Sequence, residues 1–243
     1  PMELNIWRAP TDNDMYIKQE WKKAHYDAAY TRAYRIEVLQ NKHGVLIMEH
    51  VAVVADTVQK ILDVKMTWKI NEDGKIEAVI EAIKDKEFPD LPRFGIRMFL
   101  NKKMDEITYF GMGPQESYRD KHQASCHGLF RSKVAQMHED YIRPQENGSH
   151  YDCDYVELTN GQCGIAAVSK NPFSFNASVY TQEELERVSH NYELKESDSI
   201  VFCMDYAMNG IGSNSCGPDV LDKYRFAEEA FQFQFELIPF VKG

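Results

Sequence analysis

The sequence predicts a mainly β fold, a large antiparallel β-sandwich with one or two short helices. Three observations carry that expectation. Short runs rich in β-branched residues, several alternating with polar ones, recur from residue 45 to residue 238. Clusters of Asn, Asp and Gly separate them, as tight reversals require. Strand candidates exceed ten while helical stretches number two, without the βαβ alternation of a parallel sheet. The 243 residues are 43% hydrophobic, enough for a sizeable core, and all-β architectures of this length form single units, so residues 1–243 are read as one domain.

Taken in order, Leu4-Asn5-Ile6-Trp7 leads into a polar turn, Thr11-Asp12-Asn13-Asp14, whose side chains suit backbone capping. Ile17, Trp21, Ala24 and Ala28 then recur at three- and four-residue spacing, which predicts one amphipathic helix over residues 17–30. Strands are expected at 45–48, 51–54, 61–70 and 76–83. Asn41-Lys42-His43-Gly44 and Asn71-Glu72-Asp73-Gly74 read as hairpin turns, each ending in a glycine able to take positive φ. A proline-containing break at 88–92 precedes strands at 94–100 and 106–109, the latter running into Gly111-Met112-Gly113-Pro114. Later strands are expected at 155–158, 164–168, 175–180, 200–206 and 231–238, the last alternating Phe and Gln so that one face must be buried. Thr181-Gln182-Glu183-Glu184 has the pattern of a capping box and opens a second helix ending near Ser189-His190.

Composition narrows the function. A formal net charge of −10 offers no attraction to a phosphate backbone or an anionic bilayer, so neither nucleic acid nor membrane is an expected partner. The apolar runs fall far short of the roughly 20 residues that span a bilayer. Pro1-Met2-Glu3-Leu4 lacks the basic start and apolar core of a signal peptide, and the compartment, cytoplasmic or periplasmic in a bacterium, stays open. Five cysteines, odd in number and without a C-x-x-C pair, read as mostly free thiols rather than a disulfide framework or a zinc site.

Three loops are dense in side chains that suit sugar hydroxyls, at residues 8–14, 114–120 and 143–154, although turn and capping duty is the commoner explanation for any one of them. A retaining glycosidase needs two carboxyl groups about 5–5.5 Å apart. The 38 acidic residues single out no such pair, so no catalytic residue is assigned. The histidines, among them His122, His127, His138, His150 and His190, stand in no metal-ligand spacing and read as structural or exposed. From the residues alone the chain is an acidic, mostly β protein.

A resemblance adds to that. Ile6-Trp7-Arg8-Ala9-Pro10-Thr11-Asp12-Asn13-Asp14 resembles the W-R-A-P-x-D-N-D signature that opens the last domain of family-two β-galactosidases. Leu91-Pro92-Arg93-Phe94-Gly95, the stretch from Tyr109 to Asp120, Pro144-Gln145-Glu146-Asn147-Gly148 and Gly210-Ile211-Gly212 are similar to the same domain, in order, over essentially the whole chain. The resemblance implies a supersandwich of the galactose-mutarotase-like type. It implies catalytic glutamates in a TIM barrel absent from this chain, and a parent that hydrolyses terminal β-D-galactosides as a homo-oligomer. This domain would supply one wall of the active site, with Arg8, Asp12, Asn13 and Asp14 at its first motif, a mobile loop over residues 12–20, and an aromatic platform after Gly210-Ile211-Gly212. There the chain departs from the pattern, with Cys216 where the family carries tryptophan. It departs again at Asp154, where relatives carry arginine and where a buried anion would need a compensating charge. No cofactor is expected in this chain, and the magnesium of relatives would lie in the barrel. The expected partners are the remaining domains of the parent and its galactoside substrate. Two other readings are a stand-alone aldose 1-epimerase and a carbohydrate-binding module.

Overall fold

The structure, a computed structural model, describes residues 1–212 and 217–242. Among these, twelve strands make one antiparallel sheet: β1 (Met2–Asn5), β2 (Tyr30–Asn41), β3 (Gly44–Val54), β4 (Lys60–Asn71), β5 (Ile76–Lys84), β6 (Arg93–Asn101), β7 (Glu106–Gly113), β8 (Cys126–Lys133), β9 (Ser149–Thr159), β10 (Cys163–Ser178), β11 (Ser199–Met208) and β12 (Ala230–Val241). The main path runs β1-β6-β11-β10-β12-β5-β4-β3-β2, and β9, β7 and β8 branch from β10. The branch arises because β10 changes partners. Cys163 to Val168 lie beside β12, Ser174 to Ser178 lie beside β11, and β9 follows β10 through a register shift at Phe173. The mainly β, antiparallel expectation is borne out.

The alternation read in the last strand is the clearest example of pattern becoming packing. Phe231, Phe233 and Phe235 are buried while Gln232 and Gln234 are exposed. Phe231 meets Phe94 edge-on at 4.8 Å and stacks on Tyr206 at 5.0 Å. Each such ring stabilises the fold by about 1.5–3 kcal/mol through burial alone. Both glycine turns are present, joining β2 to β3 and β4 to β5, with Gly44 at φ 137° and Gly74 at φ 83°.

Several boundaries differ from expectation. The helix expected over 17–30 is α1 (Ile17–Lys23), and it stops there because His25 adopts the left-handed region at φ 58°. Tertiary anchors impose that turn: the Trp21 indole donates to the Asp90 carbonyl at 2.9 Å, and the Tyr26 hydroxyl to the Pro89 carbonyl at 2.8 Å. Strands β1, β2 and β8 were not anticipated. β2 is hidden by a bulge between Ala33 and Arg35 that shifts its alternation mid-strand, and no residue of β8 is fully buried. The runs at 45–48 and 51–54 merge into β3, and that at 164–168 joins the one expected at 175–180 in β10, which ends at Ser178, two residues short of expectation. The second helix, α2 (Gln182–Arg187), begins as read: the Glu184 amide donates to the Thr181 hydroxyl at 3.1 Å. It ends two residues earlier than expected.

Candidate functional site

The three polar loops picked out in the sequence meet in space, joined by the turn after β11. Their meeting point is built on buried charge. Arg8 is 0% exposed and its Nη2 donates to Asp14 Oδ1 at 2.8 Å, while Nη1 donates to the Asn209 carbonyl at 2.8 Å. The guanidinium also lies 5.3 Å over the Trp21 ring, where a cation is favoured. Asp14 closes the motif on itself by accepting from the Thr11 amide at 2.8 Å, which holds residues 12–14 in a 3-10 turn. Arg8 and Asp14 are therefore internal braces, sealed from any ligand.

The intervening residues point outward and tie the turn to its neighbours. Asp12 exchanges two hydrogen bonds with Gln145: its amide donates at 2.9 Å, and its Oδ2 accepts from Gln145 Nε2 at 3.1 Å. Asn13 Nδ2 donates to the Ile211 carbonyl at 3.1 Å. The Ile211 and Gly212 amides in turn donate to Asp120 at 3.1 and 2.8 Å. Thus the W-R-A-P turn and the Gly210-Ile211-Gly212 turn, about two hundred residues apart in sequence, form one surface. Cys216 lies outside the described residues. Residues 12–20 form the 3-10 turn, a two-residue turn at Met15-Tyr16 and the first part of α1.

A second ionic centre lies beneath. Arg93 on β6 donates through Nε to Asp205 Oδ1 at 3.0 Å and through Nη1 to Glu146 Oε2 at 3.3 Å, with a further contact between Nη2 and Asp205. Arg93, Asp205 and Glu146 are 1%, 0% and 4% exposed. Burial pushes both carboxyls up from their ordinary range, and Arg93 pulls both back. Burial works against the Arg93 charge, yet the two carboxylates raise its pKa well above the usual value. Buried to that degree, neither carboxylate is presented to a glycosidic bond. Asp205 escaped notice in the sequence, although a lone acid inside the apolar run at 200–206 is the signal that marks it.

Glu116 anchors the third loop. It accepts from the Gly148 amide at 2.8 Å and from the Tyr118 hydroxyl at 3.3 Å, and contacts Lys121 and the Tyr141 hydroxyl. Gly148 sits at φ 69°, and a Cβ there would stand 2.4 Å from the Met137 carbonyl oxygen, so only glycine fits. The Glu116 group forms one edge of a cleft of about 490 Å³ that also includes His122 and Glu139. A second cleft, of about 280 Å³, lies between Tyr118, Arg119, Tyr151, Asp152, Tyr206 and Glu228. A third, of about 200 Å³, borders the first turn at Asp12, Lys18 and Arg143. Aromatic rings line the first two of these clefts, and charged side chains line all three.

Asp154 differs from what the sequence suggested, whereas His150 takes the structural role expected of it. Asp154 is 47% exposed on β9 and 3.7 Å from His127, so it is solvated and needs no buried counter-charge. His150 is 2% exposed, donates from Nδ1 to the Met112 carbonyl 3.0 Å away, and lies against Tyr109 and Phe175. Burial pushes its pKa down to about 4, which keeps it neutral and structural at pH 7. Among the described residues no helix is long and apolar enough to cross a membrane.

Comparison with known proteins completes the picture. The family profile described as beta galactosidase small chain matches residues 1–237. A β-galactosidase of Actinobacillus pleuropneumoniae is 48% identical over 98% of this chain, and one of Staphylococcus xylosus is 37% identical over 96%. In both, the match covers 23% of the relative's length, so this chain spans about a quarter of each. Among solved structures, a galactose mutarotase-like protein from Lactobacillus casei superposes on all of this chain and 84% of its own, with a TM-score of 0.44 and 10% identity. The chain belongs to the β-galactosidase small-chain family.

Proposed function

We propose that the chain is the C-terminal domain of a β-galactosidase that hydrolyses terminal non-reducing β-D-galactose residues, and that it completes one wall of the active site. The observation that carries this reading is the joined surface of residues 10–14 and 209–212, braced from below by Arg8 and Asp14. A wall must hold still while a sugar is bound and turned over, and buried, bidentate charge pairs supply that rigidity. In this reading Asp12 and Asn13 shape the wall, Arg8 and Asp14 position it, and Cys216 stands at the platform position.

The catalytic carboxylates lie in the part of the parent outside these residues, as does any magnesium, and the domain's other partners are the parent's remaining domains in a homo-oligomer. Asp205 and Glu146, the acids drawn together on Arg93, serve the scaffold. The test is hydrolysis of a nitrophenyl β-galactoside by this chain alone, at high concentration, beside the full-length parent. Turnover by the parent only is expected. Enzyme-like turnover by the chain alone would overturn the assignment.

A further inference from the structure

The sheet does not close. Among the described residues β1 bonds only to β6 and β2 bonds only to β3, so the path runs from one free edge to another. Between these edges lies an apolar groove of about 590 Å³, with Met2 and Leu4 on one bank, Ile36 on the other, and Trp68, Ile70 and Met98 along its floor. A free strand edge carries unpaired amide and carbonyl groups and recruits another strand unless it is covered or blunted.

Strand β2 is shaped for such an addition. The bulge between Ala33 and Arg35 changes the parity of the strand, so Thr31 and Ala33 line the groove before it and Ile36 after it. Val38 follows on the same face by alternation. Ile36 and Val38 are 56% and 59% exposed, a costly state for β-branched residues beside a core. Glu49, paired in register with Ile36, also lines the groove, and no ion pair of its carboxylate is present among the described residues.

We propose that a β-strand from the part of the β-galactosidase polypeptide outside these 243 residues adds to the free edge of β2, seating alternate apolar side chains in the groove and one lysine or arginine on Glu49. The inference rests on the reading of this chain as part of a longer β-galactosidase, whose relatives extend over about four times its length, since it covers 23% of them. A strand satisfies the ladder groups of β2 while its alternating face fills the groove. A second copy of this chain fits less well: the groove-lining residues of its own free edges, Thr31, Ala33 and Ile36 of β2 and Met2, Glu3 and Leu4 of β1, include no cation for Glu49.

The experiment is maleimide labelling of Ile36→Cys, followed peptide by peptide by mass spectrometry, in the full-length parent and in this chain alone. Hydrogen exchange over β2 in the unsubstituted proteins serves as the second readout, independent of the substitution. The expected result is labelling and exchange slowed by roughly tenfold or more in the parent at every concentration, and fast in the chain alone. Equal rates in the two proteins would overturn the proposal, as would protection that appears only as either protein is concentrated, which is the signature of a second copy. Galactoside hydrolysis by the same parent is measured beside it. An active parent with an unprotected β2 rejects the strand alone, whereas an inactive parent with a protected β2 rejects the enzymatic reading and keeps the strand.

Discussion

Single residues decide whether the site is rigid. Arg93 holds two carboxylates out of water, so its replacement leaves charge or protonated acid without a partner. Arg93→Met is expected to cost about 3–5 kcal/mol in a urea unfolding experiment at pH 7; a loss within experimental error of zero would mean that the centre is solvated. His150 gives a pH signature. Its folded pKa of about 4 lies below the ordinary value of 6.5, so the unfolded chain takes up the proton first as pH falls. The stability it contributes is therefore complete above pH 6.5 and is lost between 6.5 and 4, by about 3 kcal/mol at 1.36 kcal/mol per unit. His150→Phe is expected to flatten that part of the stability profile, and an unchanged slope would show that the buried imidazole is not responsible. The raised pKa of Glu146 has the opposite sign and is common to both proteins, so the comparison isolates His150. At this scale the sequence showed which residues were chemically capable, while burial, a property of distant neighbours, separated brace from surface: Arg8 and Asp14 inside, Asp12 outside.

Elements followed their patterns where the pattern stayed in phase. The Phe-Gln alternation of β12 and the glycine turns at Gly44 and Gly74 are local rules, and each is satisfied in place. The start of α2 is equally local. Thr181→Ala removes the hydroxyl that accepts the Glu184 amide and is expected to lower stability by about 1 kcal/mol in chemical denaturation, with Thr181→Ser close to the parent value. If alanine is as stable as serine there, the cap is not contributing. Helix α1 shows the other case. The spacing of Ile17, Trp21, Ala24 and Ala28 continues past Lys23, but the indole of Trp21 and the hydroxyl of Tyr26 reach the carbonyls of Asp90 and Pro89 and turn the chain at His25. β2 was illegible because its bulge shifts the alternation after four residues, and a window that averages over both phases sees neither.

Across the whole molecule, distance along the chain loses its meaning. β10 serves two sheets' worth of neighbours by changing partners midway, and β9, β7 and β8 branch at that change. The closing of residues 8–14 against 209–212 spans nearly the full sequence, and it is this closure that joins into one surface two turns which separately are only caps. The expected inactivity of the isolated chain belongs to the same scale, because the acids this fold draws together are sealed in its interior. The sequence by itself determined the strand-rich class, the order of most strands, the positions of the tight turns and the family, since period, turn chemistry and motif are written in consecutive residues. Only the tertiary structure decided that Asp205 joins Glu146 on Arg93, that Asp154 is solvated, that α1 stops at Lys23 and that the sheet remains open between β1 and β2. Each of those outcomes depends on which remote groups exclude water from a side chain or satisfy a backbone group, and no local pattern contains that information.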